Sequence, residues 1–275
     1  MTAESAFDLP VDQLVDLLEH GDIEIEGRMP RSSNATFLVT VTADGDPDGD
    51  EPATVSHPAT VSHPATVSHP ATVSHPATVS HEAIYKPGRG ERPLWDFPPD
   101  LYKREVAAYR LADQLGWSVI PPTVIATGPY GEGSLQAFVH ADFGHHYFSL
   151  LEEGIGTDDL HRLCVLDLLA NNTDRKSGHC LLGRDGRVYG IDHGLAFHAQ
   201  FKLRTVMWDF AGDPIDDELL APVARLVEDG PTVELAALLD RFEVDALVAR
   251  AAAVVRSARF PDDDTDGHRY PWPLI

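Results

Sequence analysis

Leu9, Val11, Leu14, Val15, Leu17 and Leu18 recur at three- and four-residue intervals, which predicts an amphipathic helix over 8–20 that stops at Gly21. The period then drops to two. Residues 23–27 alternate, and 36–41 resume strand character after a polar bridge, so a hairpin turning through 28–34 is expected. Residues 83–87 read as a strand stopped by Pro87. From about Asp100 a second helix is expected, with Tyr102, Val106, Tyr109, Leu111 and Leu115 as its apolar stripe and Gly116 as its stop. Strands follow at 119–127 and 135–139, around the turn Gly128-Pro129-Tyr130-Gly131. Beyond Gly154 the pattern is helical: continuously apolar over 163–170, and periodic over 217–228, 232–240 and 243–258. The exception is a short hairpin, 180–182 and 188–191, joined by a turn at 183–187. The acidic run 262–267 and Pro271-Trp272-Pro273 read as loop or tail.

One stretch fits neither period. Pro-Ala-Thr-Val-Ser-His occurs five times without variation over 52–81. A proline every sixth residue removes backbone donors and fixes φ, so neither a helix nor a central strand is expected to run through it. The expectation is a disordered or extended surface insertion at about 43–82. Its evenly spaced histidines raise metal binding as an alternative, opposed by the ordering entropy that a flexible tract loses at each site.

Charge and cysteine usage narrow the partners. Lys+Arg 21 against Asp+Glu 44 gives a net charge of −23, which speaks against a nucleic-acid partner and against constitutive docking on anionic membranes. The two cysteines, Cys164 and Cys180, do not make a disulfide framework. No apolar run is long enough to span a bilayer, and no basic-then-apolar leader opens the chain. A cytoplasmic protein without stable membrane insertion is expected.

Two acidic motifs carry the candidate chemistry. Asn171-Asn172-Thr173-Asp174-Arg175-Lys176-Ser177-Gly178-His179 follows the apolar helix, and Gly190-Ile191-Asp192-His193-Gly194 follows the hairpin. Phosphoryl transfer needs one carboxylate near the attacking hydroxyl and another holding Mg²⁺ against nucleotide phosphates, each on a rigid turn. Asp174 and Asp192 suit those two tasks. Upstream, Lys86 ends a strand and Glu105 stands on the next helix. Taken alone the pair reads as a solvated lysine and a helix-face glutamate. In order with the two aspartate motifs, it reads as a phosphate-binding lysine and the carboxylate that holds it. Strands with one helix before residue 140, then a mainly helical region, is a kinase-like division of labour. An α+β bilobal protein is expected: a small β-rich N-lobe over 1–140 carrying the insertion, and a mainly helical C-lobe over 141–275.

Asn172-Thr173-Asp174-Arg175 followed by Ile191-Asp192-His193-Gly194-Leu195-Ala196-Phe197 resembles the type II phosphatidylinositol 4-kinase pattern, in which Asn-Thr-Asp-Arg precedes Ile-Asp-Asn-Gly-Leu-Ala-Phe. HipA-type and Fam20-type kinases are similar more loosely, and an actinobacterial group of phosphatidylinositol 3-/4-kinase-related chains more closely. The resemblance covers roughly 22–42 and 83–215. It implies ATP with Mg²⁺ or Mn²⁺, and transfer of the γ-phosphate to a hydroxyl on a lipid, a protein or a small molecule. It also implies roles. Lys86 would bind nucleotide phosphates with Glu105 as partner; Ser33 and Asn34 would belong to a phosphate-covering hairpin; Gln136, Phe138 and Val139 would lie beside the adenine. Asp174 would orient or deprotonate the acceptor hydroxyl and Asp192 would ligate the metal. Arg175 would steady the loop or meet a phosphate, or else form a structural salt bridge to Asp167 or another carboxylate.

One position departs from the family. Relatives carry asparagine five residues after the catalytic aspartate as a second metal ligand, and here His179 stands there. Imidazole suits softer transition metals than Mg²⁺, so His179 implies a shift toward Mn²⁺, a held water or phosphate, or weakened catalysis. The last option makes a nucleotide-binding pseudokinase with a regulatory or scaffold role the alternative. Lys202 and Arg204 either receive an anionic substrate or belong, with Trp208-Asp209-Phe210, to an ordinary packed segment.

Overall fold

The computed structural model describes residues 6–30, 32, 34–44, 78–263 and 269–274. Helix α1 (Val11–His20) buries Leu14, Leu17 and Leu18, the stripe its spacing predicts. Gly21 ends it, its N–H bonded to Leu17 O, and a Cβ at this point would stand 2.6 Å from Val41 Cγ1. Only glycine lets the helix lie this close to the sheet.

That sheet is antiparallel, in the order β1 (Asp22–Arg28), β2 (Phe37–Asp44), β3 (Thr78–Pro87), β5 (Gly131–Ala137), β4 (Thr123–Gly128). Alternation sends Val39, Val41, Ala83, Tyr85, Leu135 and Ala137 into the core with α1, and Ile84 and Lys86 to the other face. Two boundaries differ from the sequence expectation. Pro121 and Pro122 cannot donate to a ladder, so β4 starts at Thr123 and not at 119. β5 begins at Gly131 and ends at Ala137, earlier than the expected 135–139, because it pairs back on β4 directly through the turn.

A larger correction concerns the repeat. β3 begins inside the last copy: Thr78, Val79, Ser80 and His81 pair with Asp44, Ala43, Thr42 and Val41 of β2. The expected insertion therefore ends earlier than 82, and part of it is a central strand. Proline leads each copy, so the four-residue tail of the last one is free to join the 82–87 strand without interruption. His81 is 3% exposed, edge-on to Phe7 with ring centroids 6.2 Å apart. The other repeat residues, 52–77, and the metal reading attached to them lie outside the described residues.

The remaining chain is mainly helical: α2 (Tyr102–Gln114), α3 (Tyr147–Glu153), α4 (Thr157–Ala170), α5 (Asp217–Asp229), α6 (Val233–Ala236) and α7 (Arg241–Ser257). A small sheet, β6 (Ala141–Asp142), β7 (Cys180–Gly183) and β8 (Val188–Gly190), crosses it. The continuous apolar run predicted at 163–170 is the buried end of α4, packed with Leu219, Val223 and Leu226 of α5 and Leu247, Ala251 and Val254 of α7. α3 has no predicted counterpart; His146 N-caps it, accepting the Ser149 N–H. Among the described residues no helix is long and apolar enough to cross a membrane.

Candidate active site

β3 brings Lys86, and α2 brings Glu105, to the turn that follows β8. Lys86 Nζ donates to Glu105 Oε1 at 2.5 Å and to Asp192 Oδ1 at 2.8 Å. Glu105 Oε2 accepts the His193 backbone N–H at 2.8 Å, so one buried glutamate fixes both the lysine and the turn carrying Asp192. That turn holds Asp192 at φ 62°, a left-handed conformation uncommon for a non-glycine residue. Burial opposes charge on Lys86, yet the Asp192 and Glu105 carboxylates outweigh it and hold the ammonium above its ordinary pKa. Lys86 in turn holds the Asp192 carboxyl well below the usual carboxylate range. The Asp192 side chain is 49% exposed, so the cluster opens to solvent through this aspartate.

The loop after α4 is built on a second, enclosed ionic cluster. Arg175 is 0% exposed, and its Nε and Nη2 donate to the two oxygens of Asp167 at 2.8 and 2.9 Å. Its Nη1 donates to Ile191 O at 2.9 Å and to His179 O at 3.2 Å, and Nη2 meets His193 Nε2 at 2.5 Å. One guanidinium thereby joins α4, the Asp174 loop and the Asp192 turn, the rigid-fork role for which arginine is suited. Of the readings open for Arg175, the salt bridge to Asp167 is the one realised. It is enclosed by protein, in a position to steady the loop. Asn172 donates to Asp167 Oδ1 at 2.9 Å and accepts the Asp174 N–H at 3.0 Å. With its backbone held in this way, Asp174 accepts from Lys176 Nζ at 2.7 Å through Oδ2. Burial raises the Asp174 pKa while Lys176 pulls the other way. Lys176 escapes the motif-based expectation; its signal was a cation two residues beyond the candidate base.

His179 Nε2 stands 3.5 Å from Asp192 Oδ2. Burial pushes its pKa down to about 4, so the imidazole is neutral at pH 7. Among the described residues no three His, Cys, Asp or Glu side chains converge as a metal cage. One imidazole beside one carboxylate fits an ion that draws its other ligands from phosphate and water.

The side chains expected near the nucleotide make contacts within the protein. Asn34 Oδ1 accepts the Arg92 N–H at 3.0 Å, tying the β1–β2 turn to the chain after β3. Gln136 is buried and donates to Thr123 Oγ1 at 2.8 Å, and Val139 is buried in the core with α1. Alternation turns Leu135 and Ala137 to the α1 core and leaves Gln136 on the face of Ile84, its partner on β3, where the Thr123 hydroxyl takes up its amide. Phe138 is half-buried and lines a groove of about 380 Å³ with His140, Phe143 and Leu182. Ser33 lies outside the described residues. Lys202 donates to Asp96 Oδ2 at 2.9 Å, and Trp208 and Phe210 pack in the helical core, which favours the packed-segment reading of this stretch.

A five-stranded antiparallel sheet with a lysine–glutamate pair, set beside helices that supply one aspartate after a buried helix and another after a hairpin, is the plan of a bilobal kinase. The Golgi casein kinase with Mn/ADP bound superposes with a TM-score of 0.50 over 96% of this chain and 80% of that one, at 15% identity, a likeness of fold. The model for phosphatidylinositol 3- and 4-kinase matches residues 122–239. Protein Rv2133c of Mycobacterium tuberculosis is 36% identical over 94% of each chain. Phosphatidylinositol 4-kinase gamma 3 of Arabidopsis thaliana is 31% identical over 45% of this chain and 27% of that protein. The chain belongs to the phosphatidylinositol 3- and 4-kinase-related family.

Proposed function

We propose that this chain is an ATP-dependent phosphotransferase that carries the γ-phosphate to a hydroxyl acceptor. The observation that carries the reading is Lys86 bridging Glu105 and Asp192 within 2.8 Å, beside a loop on which Asp174 is paired with Lys176. In this reading Lys86 holds the nucleotide phosphates, and Glu105 keeps it extended. Asp192 and His179 would hold the divalent ion, which when bound supplies charge neutralisation across the phosphates. The Asp174 carboxylate accepts the proton of the acceptor hydroxyl, and its raised pKa makes it a better base than a surface aspartate. Lys176 faces the charge that develops on the transferred group.

Transfer from γ-labelled ATP, with Mg²⁺ or Mn²⁺, to separate lipid-vesicle, protein and polyol pools tests the reading and sorts the acceptors. Label is expected with the wild type and not with Asp174→Asn or Asp192→Asn. Equal labelling by wild type and both variants would sink the assignment. A second reading, a nucleotide-binding pseudokinase, is favoured by His179 at the position where relatives carry asparagine. Its mark would be nucleotide binding without hydrolysis or transfer.

A further inference from the structure

Two charged residues of α7, remote in sequence from the site, reach its supporting elements. Glu243 is 4% exposed in the first turn, and its Oε1 accepts from Arg104 Nη2 on α2, the residue next to Glu105. Its Oε2 accepts the Asp240 N–H at 2.9 Å, and Asp240 Oδ1 accepts the Glu243 N–H at 2.9 Å, so a capping box locks the carboxylate in place. Seven residues on, along the same helical face, Arg250 Nε donates to Leu169 O at 2.7 Å and Nη1 to His198 O at 3.3 Å. Leu169 lies just before the Asn171 cap of α4. His198 lies on the segment that follows the Asp192 turn, and Asn171 Nδ2 also donates to its carbonyl, at 2.8 Å. One face of α7 therefore holds α2 at one end, and at the other the last turn of α4 and the segment after the Asp192 turn, with the fully buried Leu247 between.

We infer that α7 is a tie bar, and that Glu243 is a positioning residue acting through Arg104 to keep Glu105 within reach of Lys86. The inference rests on the reading of Lys86 and Glu105 as nucleotide-holding residues. A buried ion pair adds little net stability, but separating it strands two charges in a dry environment. Swinging α2 outward would do this, so the Lys86–Glu105 pair is assembled without an activator to push it in. The fold removes α2 position as a point of regulation.

Glu243→Gln in the full chain keeps the size while deleting the charge and leaving one acceptor oxygen where the carboxylate offers two. Two readouts apply: hydrogen exchange of the α2 amides, and ADP binding with Mg²⁺ by calorimetry. Faster exchange confined to α2 and about tenfold weaker ADP binding are expected. Unchanged α2 protection in a folded variant overturns the tie bar, as does a uniform rise in exchange over the whole protein, which would mark a merely structural residue. Should Glu243→Gln fail to fold, Arg104→Lys keeps a cation against Glu243 and the same readouts decide. A wild type that binds no ADP counts against the functional reading alone, because α2 exchange reports the tie bar independently.

Discussion

The molecule holds two ionic clusters that touch and yet differ in kind. Lys86, Glu105 and Asp192 meet where the aspartate reaches solvent; Arg175, Asp167, Asn172 and His193 meet where every side chain is buried. The same types of residue therefore do different things. In the open cluster, charge stays available to a ligand. In the closed one, the Arg175 guanidinium and the Asn172 amide are matched to acceptors within the protein, and charge holds loops in register. The lesson is that exposure of one carboxylate, and not the number of ion pairs, separates a cluster that a ligand can reach from framework.

The sharpest break in that comparison is Arg175→Met, which leaves the Asp167 carboxylate buried and unpaired. A loss of about 3–5 kcal/mol in folding stability is expected in denaturant titration. If Asp174, on the loop beside the open cluster, is the base, Asp174→Asn should do the opposite: transfer falls by about 10²–10⁴-fold while the melting midpoint holds or rises, because burial already disfavours the Asp174 charge. The wild-type rate should also fall as pH drops through the raised Asp174 pKa. His179 sits between the clusters and tests their boundary. Its folded pKa of about 4 lies below the ordinary imidazole value of 6.5, so the unfolded chain binds more protons between those values. Stability thus rises with pH across that window, by roughly 3 kcal/mol, and is lost as pH falls from 6.5 toward 4. His179→Asn should flatten the stability profile over the same window and tilt ion preference toward Mg²⁺, read by binding of the ion with ADP. The smallest effect lies outside both clusters. Deleting residues 52–75 shortens the closure between β2 and β3 and should raise stability by about 1 kcal/mol or less, with transfer unchanged.

Much of the open cluster and of the loop beside it was legible in the chain, because Asp174 and Asp192 sit in polar turns between apolar elements and Lys86 ends an alternating strand. Arg175 was legible only as a choice. Motif position cannot tell a guanidinium facing phosphate from one facing Asp167, since both uses want a cation beside the catalytic loop, and enclosure by three separate segments decides between them. The internal partners of Gln136 and Asn34 were not legible for a related reason: a polar residue at a family position looks free until a neighbouring hydroxyl or a backbone N–H is seen to engage its side chain. α3 is short, and its cap is a histidine, which belongs to no usual start signal. Lys176 stood in plain view, but a lysine in a polar loop has a bland reading until a 2.7 Å contact attaches it to Asp174.

The opening of β3 has a consequence for how this chain finds its fold. Thr-Val-Ser-His is spelled five times, so five segments are chemically equal candidates for the place beside β2. A slip of one copy would put Pro76 where Glu82 pairs with Thr40, and Ser80 where Lys86 stands. The proline cannot take part in the ladder on both sides of a central strand, and the slipped protein would have no lysine at its site. Each earlier copy is disqualified by the proline that follows its histidine, and only the last, followed by Glu82, can be extended. Copies can thus be gained or lost in whole units through replication slippage, while the residue that reaches the cleft does not change.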